Sequence, residues 1–258
     1  MPAPGLRPKS ALTLSAGLAI YDICPAPSFA SSPILARNAR VFHCVSDSKF
    51  VFALSLHTDR LAPKAEARLG GCNRVIYVRE GDAIVRAAAQ AAGLGANSAW
   101  HGRDDVTVVA GNAGATLLRW ELGAGVTGAS TLAQSVELND PGGYLMRCDR
   151  VDFPPGGIAW THVHRGPGIR CLLAGSIRVE VNGTAHDVEP GGAWFEAGPD
   201  PVLATASKTV PTAFVRVMIL PRELRGKSSI RYVKPDEADK PRLQTYRVFV
   251  DEFIDLPR

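Results

Sequence analysis

The chain has 258 residues, 46% hydrophobic and 21% charged, the balance of a globular protein long enough for one large domain or two of about 110–130 residues. Twenty-nine Lys and Arg against 25 Asp and Glu leave a net charge of +4 with the signs interspersed, which argues against the clustered basic surface of a nucleic-acid or membrane binder. The five cysteines, Cys24, Cys44, Cys72, Cys148 and Cys171, form no Cys-x-x-Cys pair, so nothing suggests a thiolate zinc site, and a reducing compartment fits better than a disulfide scaffold.

Residues 1–40 read as an N-terminal arm. Arg7 and Lys9 precede the apolar stretch Ala11–Ile20, as in an export signal, but Asp22 interrupts it early and Pro25, Pro27 and Pro33 crowd the cleavage region. No run of 18 apolar residues is present to span a membrane, and a cytoplasmic protein is expected. From Phe50 onward the chain reads as strands. Phe50–Leu56, Asn73–Arg79, Ser176–Val181 and Thr212–Leu220 are short and rich in β-branched or aromatic residues. Turn clusters bound them at Gly70-Gly71, Asp140–Gly143, Pro154–Gly157, Asn182-Gly183 and Pro190–Gly192. Many short strands at close turn spacing predict an all-β sandwich or barrel.

An internal repeat organises these strands. Gly81 and Trp100 are 19 residues apart, as are Gly175 and Trp194. Beyond them, Asp104–Ala110 echoes Asp200–Ala206, and Ala115–Trp120 echoes Thr212–Val217. Two tandem barrels follow, over 41–135 and 136–258, the second carrying a C-terminal strand. The repeat also decides a local conflict. Ala83–Ala92 has helical composition, yet it occupies the register of the strand–Asn-Gly–strand segment Ile177–His186, so a hairpin is predicted.

The segment Thr161-His-Val-His164 carries the chemistry. Residues i and i+2 of a strand share a face, so His162 and His164 can reach one metal ion; the same spacing also fits two ordinary histidines on an exposed strand. Upstream lies Asp152–Gly157; downstream lie Gly166–Arg170, Leu172–Ser176 and Val188–Gly192. This order resembles the cupin superfamily over residues 143–222 and, in degenerate form, over 45–122. The resemblance implies two fused jelly-roll barrels, a bicupin, with one divalent metal ion (Fe, Mn, Ni or Zn) inside a barrel. It also implies two ligands that this chain lacks. A Glu seven residues before the closing glycine is replaced by Gly168, and a His about twelve residues after Pro190 by Val202.

Glu196, on the strand after Pro190, is the nearest carboxylate that could complete the set. Two His and one carboxylate leave positions open for substrate or dioxygen; the alternative is a solvated carboxylate at the rim. Arg170, two residues past the vacant Gly168 position, is expected to point inward, where it binds a substrate carboxylate or pairs with Glu196. Trp194 is expected to line the mouth and contact substrate.

The repeat acts as an internal control. Trp100 and Trp194 recur, as do Arg119 and Arg216, and read as packing and ion-pair features. The His pair falls near Arg68 and Gly70 in the first half, Arg170 falls on Ile76, and Glu196 on Gly102. The first barrel is therefore expected to be a metal-free structural partner, with His57 and His101 on its surface or in packing. Cys171 points away from the interior as an inert thiol.

In the tail, Tyr246–Ile254 reads as a final alternating strand. It, or Leu12–Ile20, is expected to add to a sheet of the other barrel or of a second chain, which would make a homodimer. The functional expectation is a metal-dependent bicupin enzyme acting on a small, carboxylate-bearing molecule. Oxygenase-type chemistry stands ahead of lyase, isomerase or hydrolase chemistry. The alternative is a non-catalytic small-molecule-binding cupin without metal.

Overall fold

Turn chemistry and alternation place seven strands in the first half: β1 (Val51–Leu61), β2 (Glu66–Leu69), β3 (Asn73–Arg86), β4 (Ala91–Gly95), β5 (Ser98–Gly102), β6 (Val106–Gly123) and β7 (Leu132–Glu137). They share one antiparallel sheet in the order β4-β3-β6-β1-β7, with β2 on β6 and β5 on β3. The second half supplies β8 (Tyr144–Phe153), β9 (Ile158–His164), β10 (Gly168–Ala174), β11 (Ile177–Val181), β12 (Thr184–Val188), β13 (Ala193–Glu196), β14 (Val202–Ala206) and β15 (Thr212–Pro221). The tail adds β16 (Ile230–Tyr232) and β17 (Thr245–Ile254). These strands form two sheets, β13-β10-β15-β8-β17 and β12-β11-β14-β9-β16. This computed structural model describes residues 51–237 and 239–256, all within the unit Asp47–Arg258. The expected N-terminal arm and the Leu12–Ile20 segment lie outside the described residues. No helix among them is long and apolar enough to cross a membrane.

The repeated glycines mark the same bend twice. β3 pairs with β5 through Arg74–Val78 and with β4 through Asp82–Arg86, so the strand turns from one partner to the other near Gly81. Gly81 has φ 77°, and a Cβ there would run into the Gly114 carbonyl oxygen. Gly175, between β10 and β11, has φ 75°, and a Cβ there would lie 2.6 Å from the Pro211 carbonyl oxygen. Only glycine fits either place. Beyond Gly81 the alanine-rich segment is the hairpin β3–β4, with Val85 opposite Ala92. Its helical propensity is overridden because Ala83, Val85 and Leu94 drop into the barrel core at strand spacing.

Alternation divides β8, β10, β13 and β15 of the second barrel between two cores. Val151, Phe153, Leu172 and Phe214 face inward onto Val179 and Val202. Their neighbours Cys148, Ile169, Val215 and Val217 face the first half, packing with Leu54 and Trp120 in one continuous core. The Trp120 indole N–H donates to the Ile169 carbonyl at 3.1 Å. Cys171 is fully buried in this shared layer, and burial pushes its thiol up to about 11, as suits an inert cysteine.

The tail corrects one expectation. Neither tail strand adds to the sheet of the other barrel: β16 pairs with β9 and β17 with β8, extending both sheets of the second barrel itself. A bulge between Val248 and Val250 is the physical reason one strand serves two surfaces. Val248 stands opposite Asp149 on the inner side, whereas Val250 stands opposite Cys148 on the shared-core side. The first half is touched only by side chains and the strand end. Phe249 meets Tyr77 edge-on at 5.6 Å, and Asn73 Nδ2 donates to the Asp255 carbonyl at 2.7 Å.

Candidate metal centre

The strand register reproduces the repeat and shows where the halves part. In the second barrel Trp194, Arg170, Arg216, Asp149 and Val248 lie side by side across five strands. The corresponding row of the first barrel is Trp100, Ile76, Arg119 and His57. One row over, Gly168 stands opposite Glu196, and Arg74 opposite Gly102. A carboxylate, Glu196, thus stands directly across the strand pair from Gly168. In the first barrel the Trp100 ring folds over Gly102 and fills the equivalent space.

His162 and His164 both point inward from β9 and are 5% and 3% exposed. Val202, which stands where the resemblance implies a further histidine, is the residue opposite His162. His162 Nδ1–H donates to the Trp160 carbonyl at 2.7 Å, which leaves its Nε2 with a lone pair. The Arg216 guanidinium, a donor only, reaches His164 Nε2 at 3.4 Å, so that nitrogen also carries a lone pair, while Nδ1–H points at Ser229 Oγ, 3.3 Å away. The two Nε2 atoms face one another across 3.2 Å, and Glu196 Oε2 is 3.5 Å from His164 Nε2.

Glu196 is held from two sides. Trp194 Nε1–H donates to its Oε1 at 2.9 Å, and Arg170 Nη2 lies 2.6 Å from its Oε2. The latter contact is close but poorly aligned, so Oε2 and Nη2 both stay buried without a hydrogen bond. Arg170, expected to take substrate or to pair with Glu196, is fully buried and placed against Glu196, with Nη1 donating to the Gly168 carbonyl at 2.6 Å. Burial pushes the Arg170 guanidinium down to about 10, against the pull of Glu196. Trp194 lines the inner cavity beside the imidazoles, packed edge-on to Phe214 at 5.2 Å.

Burial pushes His162 below the usual imidazole range despite Glu196, and pushes His164 well below it, reinforced by Arg216 and Arg170. Both rings are neutral at neutral pH, the form that binds metals. The inner cavity they line is only about 20 Å³, room for one ion or one water.

Sequence reasoning missed Asp149, Ser229 and the position of Arg216 beside His164. Asp149 binds Arg216 at 2.7 Å and is itself buried, but its repeat counterpart is His57, so the comparison of halves gave no sign of it. Ser229 comes from the tail, which has no counterpart in the first half. His57 is neither surface nor plain packing: it is 2% exposed, with Nδ1–H donating to the Ala129 carbonyl at 2.8 Å.

Among solved structures, a two-residue deletion variant of oxalate decarboxylase from Bacillus subtilis superposes with TM-score 0.57 at 13% identity, covering 75% of this chain and 74% of that one. AerE from Microcystis aeruginosa gives 0.53 at 12% identity, covering 65% and 88%. A variant of the salicylate 1,2-dioxygenase from Pseudoaminobacter salicylatoxidans gives 0.50 at 11%, covering 69% and 74%. The first match spans more of this chain than either half contains. The fold is that of a bicupin. No protein-family model matches the sequence, and no curated protein sequence matches it.

Within this cupin barrel the donor set suits a metal ion. His162, His164 and Glu196 bring one ligand atom each within 4.8 Å of the others, all buried. Two imidazole Nε2 atoms facing one another beside a carboxylate form a donor arrangement that one cation can bridge. Bonds of about 2.1 Å to one ion bring nitrogen donors to just such separations. The outer nitrogens are already engaged by Trp160 and Ser229, an arrangement that fixes ring orientation in metal-bound histidines.

Proposed function

We propose that this bicupin is a metal-dependent enzyme whose second barrel, residues 136–258, holds one divalent ion on His162, His164 and Glu196. The first barrel, 41–135, is its structural partner. The observation that carries this reading is the convergence of two buried imidazole Nε2 atoms, 3.2 Å apart, beside a buried carboxylate. The substrate is a small, carboxylate-bearing molecule, and oxygenase-type chemistry is preferred to lyase, isomerase or hydrolase chemistry. Fe, Mn, Ni or Zn suits the nitrogen–oxygen donors.

The ion supplies Lewis acidity and open positions for substrate or dioxygen. This chain's own residues do the rest. Trp160 and Ser229 fix both imidazoles with Nε2 inward. Arg170 and Trp194 hold Glu196 at the correct height on β13. Phe153, Phe214 and Trp194 keep bulk water away from the ligand set. Arg216, tied to Asp149 and reaching His164, is the cation that meets an incoming carboxylate.

Elemental analysis after exposure to Fe(II), Mn(II), Ni(II) and Zn(II) is expected to give about one equivalent per chain, falling to about a tenth in His162→Ala. A wild-type protein that retains none of the four would overturn the reading. The Arg170–Glu196 contact at 2.6 Å favours the second reading, a binding cupin in which the arginine takes the place of metal. In that case small organic acids raise the melting temperature whether or not a chelator is present.

A further inference from the structure

A cleft of about 730 Å³ lies beside the candidate metal centre, walled on one side by Arg147, Asp149 and Arg216 of the barrel and on the other by the tail. It has the volume of an ordinary small-molecule site. The inner cavity that the imidazoles line, about 20 Å³, takes only one ion or one water. Arg216, Ile230 and Tyr246 line both spaces, so these three side chains form the partition between them. Two of the three come from the tail, the segment without a repeat counterpart.

The three are held with unequal firmness. Arg216 is buried, with Nε and Nη2 donating to Asp149 at 2.7 and 3.3 Å and Nη1 reaching His164 Nε2 at 3.4 Å. Ile230 is fixed through its main chain, which pairs with that of His164 on β9. Tyr246 stands on β17 opposite Val151, itself a wall of the inner cavity, so strand register sets the ring over that space. Its other side meets the cleft, and the residue remains 44% exposed. Its hydroxyl accepts a hydrogen bond from Nε2 of buried Gln244 at 3.1 Å, and the Arg216 guanidinium stands 5.8 Å from the ring centre. Turning the ring toward the cleft breaks that one hydrogen bond and leaves the strand in place, whereas displacing Arg216 breaks a buried ion pair.

We propose that Tyr246 is a specificity-determining residue of this site: its ring closes the inner cavity against the cleft and decides the size of what reaches His162 and His164. With the ring in place the imidazoles meet only water-sized molecules, and an organic ligand reaches them as the ring turns aside. The inference deepens the proposed function by naming what limits its ligand, and it rests on that reading only for the ion on the imidazoles. Closure itself follows from the shared walls and holds with or without an ion.

Access is measured in chelator-stripped full-length protein with diethyl pyrocarbonate, which transfers a carbethoxy group to a neutral imidazole nitrogen and releases ethanol and carbon dioxide. Mass spectrometry then follows each histidine peptide over time. In wild type the His162–His164 peptide is expected to react at least about tenfold more slowly than exposed His186 on β12, and in Tyr246→Ala at least about tenfold faster than in wild type. Tyr246→Phe keeps the ring and is expected to stay close to wild type, with Tyr246→Leu between the two. Val248→Ala, which borders the cleft but not the inner cavity, is expected to keep the wild-type rate. Circular dichroism and an unmodified His57, buried in the first barrel, check that each variant is folded. A wild type that reacts as fast as His186, wild-type rates in Tyr246→Ala and Tyr246→Leu, or equal acceleration in Val248→Ala overturns the proposal. Repeating the reaction after loading with Zn(II) separates the two readings. Protection of the pair in Tyr246→Ala supports the ion, whereas unprotected acceleration overturns the metal reading and leaves the closure standing.

Discussion

Arg170 is fully buried, and its charge is met by Glu196 alone at close range. Removing one partner of a buried pair strands the other charge, at a cost of about 3–5 kcal/mol. In metal-stripped protein Arg170→Met is therefore expected to lose about that much in urea unfolding, because Glu196 is left uncompensated. In metal-loaded protein the ion takes over the neutralisation, and the loss is expected to be clearly smaller. Equal losses in the two forms would show that Glu196 holds no metal. At this scale much of the site was legible. Strand spacing put His162 and His164 on one face, and counting from Gly168 turned Arg170 inward. The choice of Glu196 as the partner of Arg170 was legible only as one of two options, since alternation gives the side of a sheet and not the atom met there.

At the scale of elements, the first barrel holds a buried charge cluster. Glu121 on β6 receives Arg74 and Arg119, each at 2.7 Å, and Arg119 also binds Asp59 at 2.7 Å. Burial works to raise the Glu121 carboxyl, but the two arginines win and hold it at about 2, down from 4.5. A carboxyl with a depressed folded pKa binds fewer protons folded than unfolded, so its stabilisation is complete above about 4.5 and drains away as pH falls towards 2. Urea titrations followed by tryptophan fluorescence are expected to show this decline in wild type and a flatter profile in Glu121→Gln. At neutral pH that variant is expected to lose about 3–5 kcal/mol, because Arg74 loses its only carboxylate in the cluster. An unchanged acid slope would remove Glu121 as its source. The repeat gave the elements of this barrel correctly, including the hairpin over Ala83–Ala92. It could not reveal the cluster, because Glu121, Arg74 and His57 have no polar counterparts of the same kind in the second half.

Over the whole molecule, the layer between the halves couples them. Leu54, Tyr77 and Trp120 pack with Cys148, Ile169 and Val217 in one core, and β17 closes its edge with Val250 and Ile254. Trp120 is fully buried and hydrogen-bonded across the layer. Trp120→Ala is expected to cost about 3–5 kcal/mol and to destabilise both barrels together, in a single transition by far-UV and fluorescence probes. Two separated transitions in wild type would show that the barrels fold independently.

Side-chain alternation and turn chemistry act over a few residues, so the sequence alone determined the strands, the duplicated layout and the shared face of His162 and His164. What joins residues distant in the chain was decided by packing. Tertiary structure set Glu196 opposite Gly168, placed Arg216 between Asp149 and His164, and laid β16 and β17 along β9 and β8. The bulge before Val250 turned one strand toward both the cleft and the shared core. Such cross-strand meetings depend on register and on which edges remain open, quantities that no local pattern of residues encodes.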